Sequence, residues 1–304
     1  MKANDRKIAV LLGGESAERD VSLMSGEAVL QSLLKQGFDA FPFDPYEFGF
    51  SKLVDKKIDK AFVMLHGRGG EDGVIQGALT NAKIPFTGSG VRGCALAMDK
   101  WRTKLIWNSV GIPTPKFLVI NDDTNIEDVV NDLGMPLIIK PASEGSTIGL
   151  SKITKSEYIS GAYKKAKEYD DIVLAEKWID GIELTASILN NQALPLVQIE
   201  APQGNYDYEA KYFSDKTNYI CPTSLRVSTE KHLQQICLDA FAILGCEGWG
   251  RVDLMLDTNA RPWLLEANTV PGMTNHSLVP MAAKAIGMSF DDLVLNILGD
   301  LNVE

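Results

Sequence analysis

Two carboxylates and an amide share one face of the segment RVDLMLDTNARPWLLEAN, residues 251–268. Its alternating pattern predicts two strands joined by the polar turn 258–261. With a four-residue turn, Asp253 lies opposite Glu266 and Arg251 lies opposite Asn268. Like charges placed directly across a strand pair are destabilising, so this face needs a cation. Carboxylate and amide oxygens are hard ligands that suit Mg²⁺, and one carboxylate bridging two ions would cancel the repulsion.

The opposite face of the same hairpin is apolar, which indicates that the hairpin is buried on one side. Val252, Leu254 and Leu256 share this face on the first strand, and Trp263, Leu265 and Ala267 share it on the second. A hairpin that is solvated on both faces is the alternative, and these apolar residues disfavour it. Arg251 lies on the polar face, where it can hold a transferring phosphate or its developing charge.

The loop ASEGSTIG, residues 142–149, has the composition of a phosphate-binding loop. It joins two predicted strands, and its small, hydroxyl-bearing residues leave backbone N–H groups free to surround phosphate oxygens. Lys140 ends the apolar run 137–139, and a lysine there is costly unless it meets an anion. An ordinary polar hairpin with an exposed lysine explains this segment alone equally well.

The segment Glu176-Lys177-Trp178-Ile179 suits a nucleotide base. Backbone groups of an extended linker can read an adenine edge while apolar side chains cover the ring, and Glu183 can hold ribose hydroxyls. Taken alone, Trp178 is more often an ordinary core residue. The segment GSGVRG, residues 88–93, matches G-x-G-x-x-G by chance, because no acidic residue follows at the spacing that ribose binding needs.

These motifs need a scaffold, and the rest of the chain predicts an α/β protein. The first 97 residues alternate strand and helix, which implies an open parallel sheet. Later segments read as strand pairs joined by loops. We therefore predict three domains, at residues 1–97, 98–182 and 183–304.

Composition narrows the function classes. The net charge of −10 and the pI of about 4.9 argue against nucleic acid or an anionic membrane as the main partner. The N-terminus reads as a strand rather than a signal peptide, and no segment is apolar enough to span a membrane, so we expect a cytoplasmic protein. The four cysteines form no C-x-x-C pair and are expected to be reduced thiols: Cys94, Cys221, Cys237 and Cys246.

Over nearly its whole length the sequence resembles the D-alanine:D-alanine ligases of the ATP-grasp superfamily. The resemblance is carried by LLGGESAERDVSLMSG, LHGRGGEDG, MDKWRTK, KPASEGSTIG, EKWIDGIE, DYEAKY, GWGRVDLM and LLEANTVPGMTNHSLVPMAA, in that order. It implies an ATP-grasp fold, in which an open α/β domain precedes two α+β domains that clasp ATP. The implied reaction joins two D-alanines through a D-alanyl phosphate, for peptidoglycan precursor synthesis in the cell wall.

The resemblance also implies roles for individual residues. Those implied to bind ATP are Lys100, Lys140, Ser146, Thr147, Glu176, Lys177, Trp178, Ile179, Glu183 and Lys211. Those implied to hold two magnesium ions, with manganese as an alternative, are Asp253, Glu266 and Asn268. Glu15 is implied to take the ammonium group of the first D-alanine, linked by hydrogen bonds to Ser146 and Tyr212. The other implied substrate residues are His66, Arg251, Gly272, Ser277 and Leu278.

The resemblance further implies a homodimer formed through the N-terminal region, and a mobile loop carrying Lys211 and Tyr212. Related ligases that make a D-alanyl-D-lactate ester tend to carry phenylalanine on this loop, so Tyr212 implies a dipeptide product. Two departures are mild, because Thr147 keeps the hydroxyl of a common serine, and Val270 lies where the backbone of Gly272 makes the contact.

Two other functions remain open at this point. An ATP-grasp ligase for another acid and amine would keep the phosphate and metal residues, but Glu15, Tyr212 and Ser277 disfavour it. A non-catalytic nucleotide-binding protein would be expected to lose a metal ligand or Arg251, and the sequence retains them.

Overall fold

The computed structural model describes residues 6–200, 217–274 and 276–299, which form a layered α/β structure with three sheets. The strands are β1 (Lys7–Leu11), β2 (Asp39–Phe43), β3 (Lys60–Val63), β4 (Phe117–Ile120), β5 (Leu137–Pro141), β6 (Ser151–Ile153), β7 (Val173–Lys177), β8 (Gly181–Leu189), β9 (Gln192–Ala193), β10 (Val197–Glu200), β11 (Asn218–Ile220), β12 (Trp249–Asp257) and β13 (Pro262–Asn268). The helices are α1 (Arg19–Lys35), α2 (Pro45–Phe48), α3 (Phe50–Asp55), α4 (Val74–Asn81), α5 (Val91–Met98), α6 (Lys100–Ser109), α7 (Ile126–Leu133), α8 (Ile159–Lys167), α9 (Val227–Ile243), α10 (Leu278–Ala285) and α11 (Phe290–Leu298).

The first sheet is parallel, with strand order β2-β1-β3, as the alternation of strands and helices predicts. Its central strand is almost wholly buried, because residues 8–11 are apolar and helices cover the sheet. Runs of this kind, apolar without alternation, are typical of parallel strands that are buried on both faces. The carboxyl end of β1 leads through Gly13 and Gly14 into α1.

The second and third sheets are antiparallel, and they flank the candidate site. The second has the order β4-β7-β5-β6, and the third has the order β11-β10-β8-β12-β13, with β9 beside β8. In β8 and β12, alternate residues such as Leu184, Ala186 and Leu254 pack into a core with α9. Glu183, Asp253 and Met255, which alternate with these apolar residues, line the cleft. This period of two is the pattern of a sheet with one buried and one functional face.

The core of the first sheet also includes the last two described helices. Leu278 and Val279 of α10, and Leu293 and Val294 of α11, belong to the same buried cluster as β1 and α1. Asp291 accepts hydrogen bonds from Ser32 and Lys35 across this contact. Residues 259 positions apart in the chain are therefore neighbours.

Each sheet falls essentially within one of the three predicted domains, although β8 begins at Gly181, before the boundary placed after residue 182. The boundaries themselves remain a prediction. Within the described residues, no helix has the length and apolarity that crossing a membrane requires.

Candidate functional site

A cleft of about 580 Å³ lies between the second and third sheets. Its lining includes both charged and apolar side chains, with Lys140 and Glu176 on one side and Asp253, Met255 and Glu266 on the other. A cleft of this size is typical of sites for small molecules and cofactors. Most residues that the sequence assigns to nucleotide binding line it: Lys100, Lys140, Thr147, Glu176, Lys177, Trp178, Ile179 and Glu183.

The predicted pairing of the hairpin is confirmed at the end that carries the polar residues. Asp253 lies opposite Glu266, and Arg251 lies opposite Asn268. On its other side, β12 pairs with β8, where Thr185 lies opposite Asp253. The polar face therefore extends over three strands, and the fully buried Thr185 hydroxyl donates a 2.6 Å hydrogen bond to Asp253 Oδ1.

A β-bulge, which the sequence pattern does not predict, lies in the middle of this hairpin. Leu254 pairs with Leu264, so Leu265 is an extra residue before the Asp253–Glu266 pair. The prediction that Leu265 lies on the buried face is wrong, because Leu264 takes that place and is fully buried, while Leu265 lines the cleft. A bulge of this kind re-aims side chains, and here it presents Leu265 and Glu266 to the same space.

The repulsion between the opposed carboxylates is relieved by cations of the protein. Arg251 donates from Nε to Asp253 Oδ1 at 2.7 Å and from Nη2 to Asp253 Oδ2 at 2.8 Å. Lys100 Nζ lies 3.3 Å from Glu266 Oε2. Asn268 Nδ2 donates to Asp253 Oδ2 at 3.1 Å. These contacts offset the repulsion between the two partly buried carboxylates.

A second charge cluster lies at the inner end of the cleft, where Lys140 meets the anion that its position on a buried strand requires. Lys140 Nζ lies 3.0 Å from Glu176 Oε2, and Lys104 Nζ lies 2.9 Å from the same oxygen. Burial would raise the pKa of Glu176, but Lys104 and Lys140 together bring it below its ordinary value. Burial lowers the pKa of Lys104 to about 8, although Glu176 opposes this shift.

The predicted phosphate loop, residues 142–149, contacts α6 on one side and the N-terminal region on the other. The Glu144 carbonyl oxygen accepts a 2.6 Å hydrogen bond from Lys100 Nζ, and the Glu144 carboxylate pairs with Arg68 at 2.6 Å. Ser146 and Thr147 have positive φ angles of 51° and 66°. Such angles are uncommon for residues other than glycine, especially β-branched ones, and they cluster at functional sites.

The linker from β7 to β8 lies along the cleft as the nucleotide interpretation requires. Lys177 extends into solvent, whereas Trp178 and Ile179 are half-buried, so Trp178 is not an ordinary core residue. Lys152 Nζ lies 3.5 Å from the centre of the Trp178 ring, a cation–π contact at the rim. Glu183, on β8, is also half-buried at the cleft.

A second, smaller space of about 20 Å³ adjoins the cleft, and Glu266 lines both. It has room for about one water molecule, so an amino acid can enter only if the lining side chains move. Two main-chain segments that precede helices supply much of the lining. The lining residues are Glu18, His66, Glu71, Gly145, Ser146, Arg251, Glu266, Asn268, Val270, Pro271 and Gly272.

The expected link between Glu15 and Ser146 is not present, and Glu18 takes its place. Glu15 is exposed, whereas Glu18 is 6% exposed and accepts a hydrogen bond from Ser146 Oγ. The reason is local. After Gly14 the chain makes a turn before α1, and the residue directly before the helix points inward. A Cβ atom on Gly145 would lie 2.9 Å from Glu18 Oε2, so a larger residue there would displace the Glu18 carboxylate.

His66 is buried and Glu71 is half-buried beside Glu18. Burial lowers the pKa of His66 to about 4, so His66 is neutral at physiological pH. Burial, followed by the charge of Glu18, raises the pKa of Glu71. Glu71 accepts backbone hydrogen bonds from Gly67 at 2.9 Å and from Val270 at 3.1 Å, and it thereby ties the two loops together.

Gly272 and Ser277, which the resemblance assigns to substrate binding, lie close together. A Cβ atom on Gly272 would lie 2.9 Å from Ser277 Oγ. Ser277 directly precedes Leu278, the first residue of α10, and its hydroxyl accepts from the Thr274 N–H at 2.8 Å. The N-terminus of a helix favours bound anions.

Lys211 and Tyr212 lie outside the described residues. The sequence interpretation assigned no role to four residues that the structure brings to the site: Glu18, Glu71, Lys104 and Thr185. Lys104 follows Lys100 by one helical turn, which places both on one face of α6, and this spacing was the available signal. Thr185 alternates with Glu183 along β8, which gives the same signal at a period of two.

Comparison with known proteins agrees with this geometry. Residues 106–299 match the model of the D-ala D-ala ligase C-terminus, and residues 47–89 match that of the D-ala D-ala ligase N-terminus. A D-alanine–D-alanine ligase of Nitrosomonas eutropha is 55% identical, with 96% of this chain and 95% of that protein covered.

Two solved structures have a similar fold. The D-alanine–D-alanine ligase of Bacillus anthracis complexed with ATP has a TM-score of 0.86 and 30% identity, with 97% of each chain covered. The VanG D-Ala:D-Ser ligase of Enterococcus faecalis has a TM-score of 0.84 and 28% identity, with 97% of this chain and 99% of that chain covered. The fold is therefore the ATP-grasp fold that the resemblance implies. On these matches, which extend over almost the whole chain, the protein belongs to the D-alanine–D-alanine ligase family.

Proposed function

We propose that this protein joins two D-alanine molecules to D-alanyl-D-alanine, with conversion of ATP to ADP and phosphate, for peptidoglycan precursor synthesis. The observation that carries the proposal is the position of Glu266, which lines both the large cleft and the small space beside it. A nucleotide in the cleft and an amino acid in the small space would meet at this residue. The names of the similar proteins support the same reaction.

The large cleft is the proposed ATP site. Lys100 and Lys140 bind phosphate oxygens, and the loop with Ser146 and Thr147 closes over them. Glu176, Lys177 and Ile179 hold the adenine, with Trp178 packed nearby and Glu183 on the ribose. The contacts of Lys100 with Glu144 and Glu266 support this assignment, because they hold its ammonium group at the junction of loop and hairpin.

Asp253, Glu266 and Asn268 are the proposed ligands of two magnesium ions, or of manganese. The donor set fits, because two carboxylates and one amide leave the remaining positions to water and phosphate oxygens, as Mg²⁺ prefers. Asp253 and Glu266 also lie opposite each other, so both carboxylates would be available to hold the ions. When bound, the ions would neutralise phosphate charge and polarise the γ-phosphoryl group.

The small space is the proposed amino-acid site. Glu18, rather than Glu15, takes the ammonium group of the first D-alanine, because Glu18 is the buried carboxylate joined to Ser146. His66 lies beside this substrate. Ser277 and Leu278 bind the carboxylate of the second D-alanine at the start of α10. The family resemblance assigns Lys211 to ATP and Tyr212 to the first D-alanine.

The proposed chemistry has two steps. The carboxylate of the first D-alanine attacks the γ-phosphorus atom, and ADP leaves with the electrons of the broken P–O bond. The deprotonated amine of the second D-alanine then attacks the acyl carbon, and phosphate leaves. Between the attack of the amine and the departure of phosphate, Arg251 and the Gly272 N–H stabilise the oxyanion of the tetrahedral intermediate. The acyl phosphate is open to hydrolysis, so the site must exclude water before it forms.

Product analysis would test this function. The intact protein is incubated with ATP, magnesium and D-alanine, and both phosphate release and dipeptide are measured. L-alanine, D-serine and D-lactate replace or compete with D-alanine in parallel reactions, and Glu266→Gln is the inactive control. We expect D-alanyl-D-alanine as the main product, with one phosphate per dipeptide. A different main product, or phosphate release without ligation, would contradict the proposal.

We also infer that the protein acts as a homodimer through its N-terminal region. The inference follows the family resemblance and is supported by exposed apolar side chains on α2 and α3, with Tyr46 64% exposed and Phe48 57% exposed. Sedimentation equilibrium of the wild type and of Phe48→Glu would test it. A monomeric wild type would contradict it, as would a dimer that Phe48→Glu leaves unchanged.

A further inference from the structure

One buried lysine has no role in the chemistry described above. Lys104 lies on α6 one turn after Lys100, and its side chain has no solvent exposure. Removing an ammonium group from water is costly unless it is paired and hydrogen-bonded. Because no part of Lys104 reaches the surface of the cleft, it cannot itself contact a nucleotide there.

The contacts of Lys104 converge on the carboxylate that is assigned to adenine. Its Nζ atom lies 2.6 Å from Thr114 Oγ1 and 2.9 Å from Glu176 Oε2. The Thr114 hydroxyl donates in turn to the Leu264 carbonyl oxygen on β13, at 2.8 Å. Lys104 is therefore fixed on one side by the third sheet, and it holds Glu176 on the other.

Two lysines share one oxygen of Glu176. Lys140 lies 3.0 Å from Oε2, as Lys104 does on the other side, and among the described residues the ion pairs of this carboxylate fall on Oε2. Lys140 lines the cleft and can turn toward a phosphate group. Lys104 cannot, so it is the partner that stays with Glu176 when a nucleotide is bound.

A carboxylate that is held through one oxygen presents the other in a fixed direction. An ionised carboxylate only accepts hydrogen bonds, and the 6-amino group of adenine only donates them. We propose that Lys104 is a positioning residue, which fixes Glu176 so that its Oε1 atom selects adenine over 6-oxopurine nucleotides. This proposal rests on the assignment of Glu176 to the base under the proposed function.

The test compares ATP with ITP, which carries an oxo group in place of the 6-amino group. Steady-state kinetics with saturating D-alanine, and calorimetric binding of ADP and IDP, are measured on the intact wild type and on Lys104→Met. We expect the ATP:ITP ratio of kcat/KM to fall about tenfold, mainly through KM for ATP, because a site built for one hydrogen bond loses its discrimination. The KM for D-alanine should not change. An unchanged ATP:ITP ratio in a folded variant would overturn the proposal.

Glu176→Gln separates this proposal from the site assignment. If Glu176→Gln keeps the wild-type ATP:ITP ratio, the assignment of Glu176 to adenine fails. If Glu176→Gln lowers the ratio while Lys104→Met does not, the assignment stands and the role of Lys104 fails. Lys116→Met is the matched control, because Lys116 forms an exposed ion pair with Asp132. It should retain the wild-type ratio.

A second pair of variants decides the matter if Lys104→Met does not fold. Thr114→Val removes the hydroxyl that holds the Lys104 ammonium group, and Thr114→Ser keeps it. We expect the ATP:ITP ratio to fall in Thr114→Val and to return in Thr114→Ser. Equal ratios in the two variants would overturn the proposal, because a purely structural role of this position would not separate the nucleotides.

Discussion

Asp253 and Glu266 each have a cation of the protein as a partner, so the site is neutralised before any ligand binds. Arg251 makes two hydrogen bonds to Asp253, and Lys100 lies 3.3 Å from Glu266. A carboxylate cluster without such partners is destabilised by repulsion, and removing one member then stabilises the protein. The present arrangement predicts the opposite behaviour.

We expect Glu266→Gln to abolish turnover without raising the melting temperature of the metal-free protein. The variant replaces the carboxylate that pairs with Lys100 by a neutral amide, whereas the hydrogen bond from Lys100 Nζ to the Glu144 carbonyl oxygen remains. Calorimetry in a chelating buffer and a ligation assay measure the two effects. The exposed Glu247→Gln is the control. A clear rise in melting temperature would mean that repulsion between Asp253 and Glu266 dominates.

Glu18→Gln should raise the KM for D-alanine at least about tenfold, while the KM for ATP changes little. The variant removes a charged partner of the substrate ammonium group, an interaction stronger than a neutral hydrogen bond. Glu15→Gln is the matched control three residues away, and it should behave like the wild type because Glu15 is exposed. If Glu15→Gln instead raised the KM for D-alanine and Glu18→Gln did not, Glu15 would be the ligand of the substrate ammonium group.

The burial of His66 predicts a pH dependence of stability. Its pKa falls from 6.5 to about 4 on folding, so the unfolded chain binds the proton more readily between these values. The stabilisation is complete above pH 6.5 and is lost as the pH falls toward 4, by about 3 kcal/mol in all. Urea unfolding of the wild type and of His66→Gln at several pH values measures this. Between pH 6.5 and pH 4 the variant should lose less free energy of unfolding than the wild type. If the two proteins lose the same amount, the lowered pKa of His66 is contradicted.

At the scale of elements, the β12–β13 hairpin illustrates what a pattern can and cannot predict. Both pairs at its functional end were predicted correctly from a turn of four residues. The pairs near the turn are shifted by one residue, and the bulge at Leu265 restores the register. Two successive leucines, Leu264 and Leu265, are compatible with alternation from either end. The sequence therefore predicts the strands but not the point where the pattern changes face.

Strand β8 supports the metal-binding face through Thr185. We expect Thr185→Val to raise the Mn²⁺ dissociation constant about tenfold or more, because its hydroxyl orients Asp253 and such supporting bonds commonly have this effect. Thr185→Ser keeps the hydroxyl and should restore binding. Electron paramagnetic resonance of Mn²⁺ with ADP present gives the constants independently of turnover. Equal constants for the two variants would exclude this orienting role.

At the scale of the whole molecule, local order was predictable and distant packing was not. The parallel first sheet follows from the alternation of strands and helices, and residues 142–149 join two strands, β5 and β6, as the sequence predicts. Nothing in the pattern of Phe290–Leu298 indicates that its apolar face packs on α1 and the first sheet, because periodicity predicts a buried face but not its partner. The position of Glu18 was missed for a similar reason, since a turn decides which carboxylate points inward.

Truncating a core residue of α11 should therefore destabilise the first sheet and the helices packed on it, without altering the active site. We expect Leu293→Ala to lower the free energy of unfolding by about 2–5 kcal/mol, because the fully buried side chain leaves a cavity. Ile286→Ala is the control, since Ile286 is 52% exposed. Urea denaturation and the KM values for both substrates are measured. A loss below about 1 kcal/mol would contradict the burial.

The contact between α1 and α11 also bears on how the protein folds during synthesis. The first sheet and α1 are translated early. Their core is completed only by α11, whose contact residues follow 259 positions later. At rates of about 5–20 residues per second, this interval lasts roughly 13–50 s. During that time the apolar surface of α1 and its sheet stays uncovered on the ribosome. We expect a chaperone to shield this surface until α11 emerges.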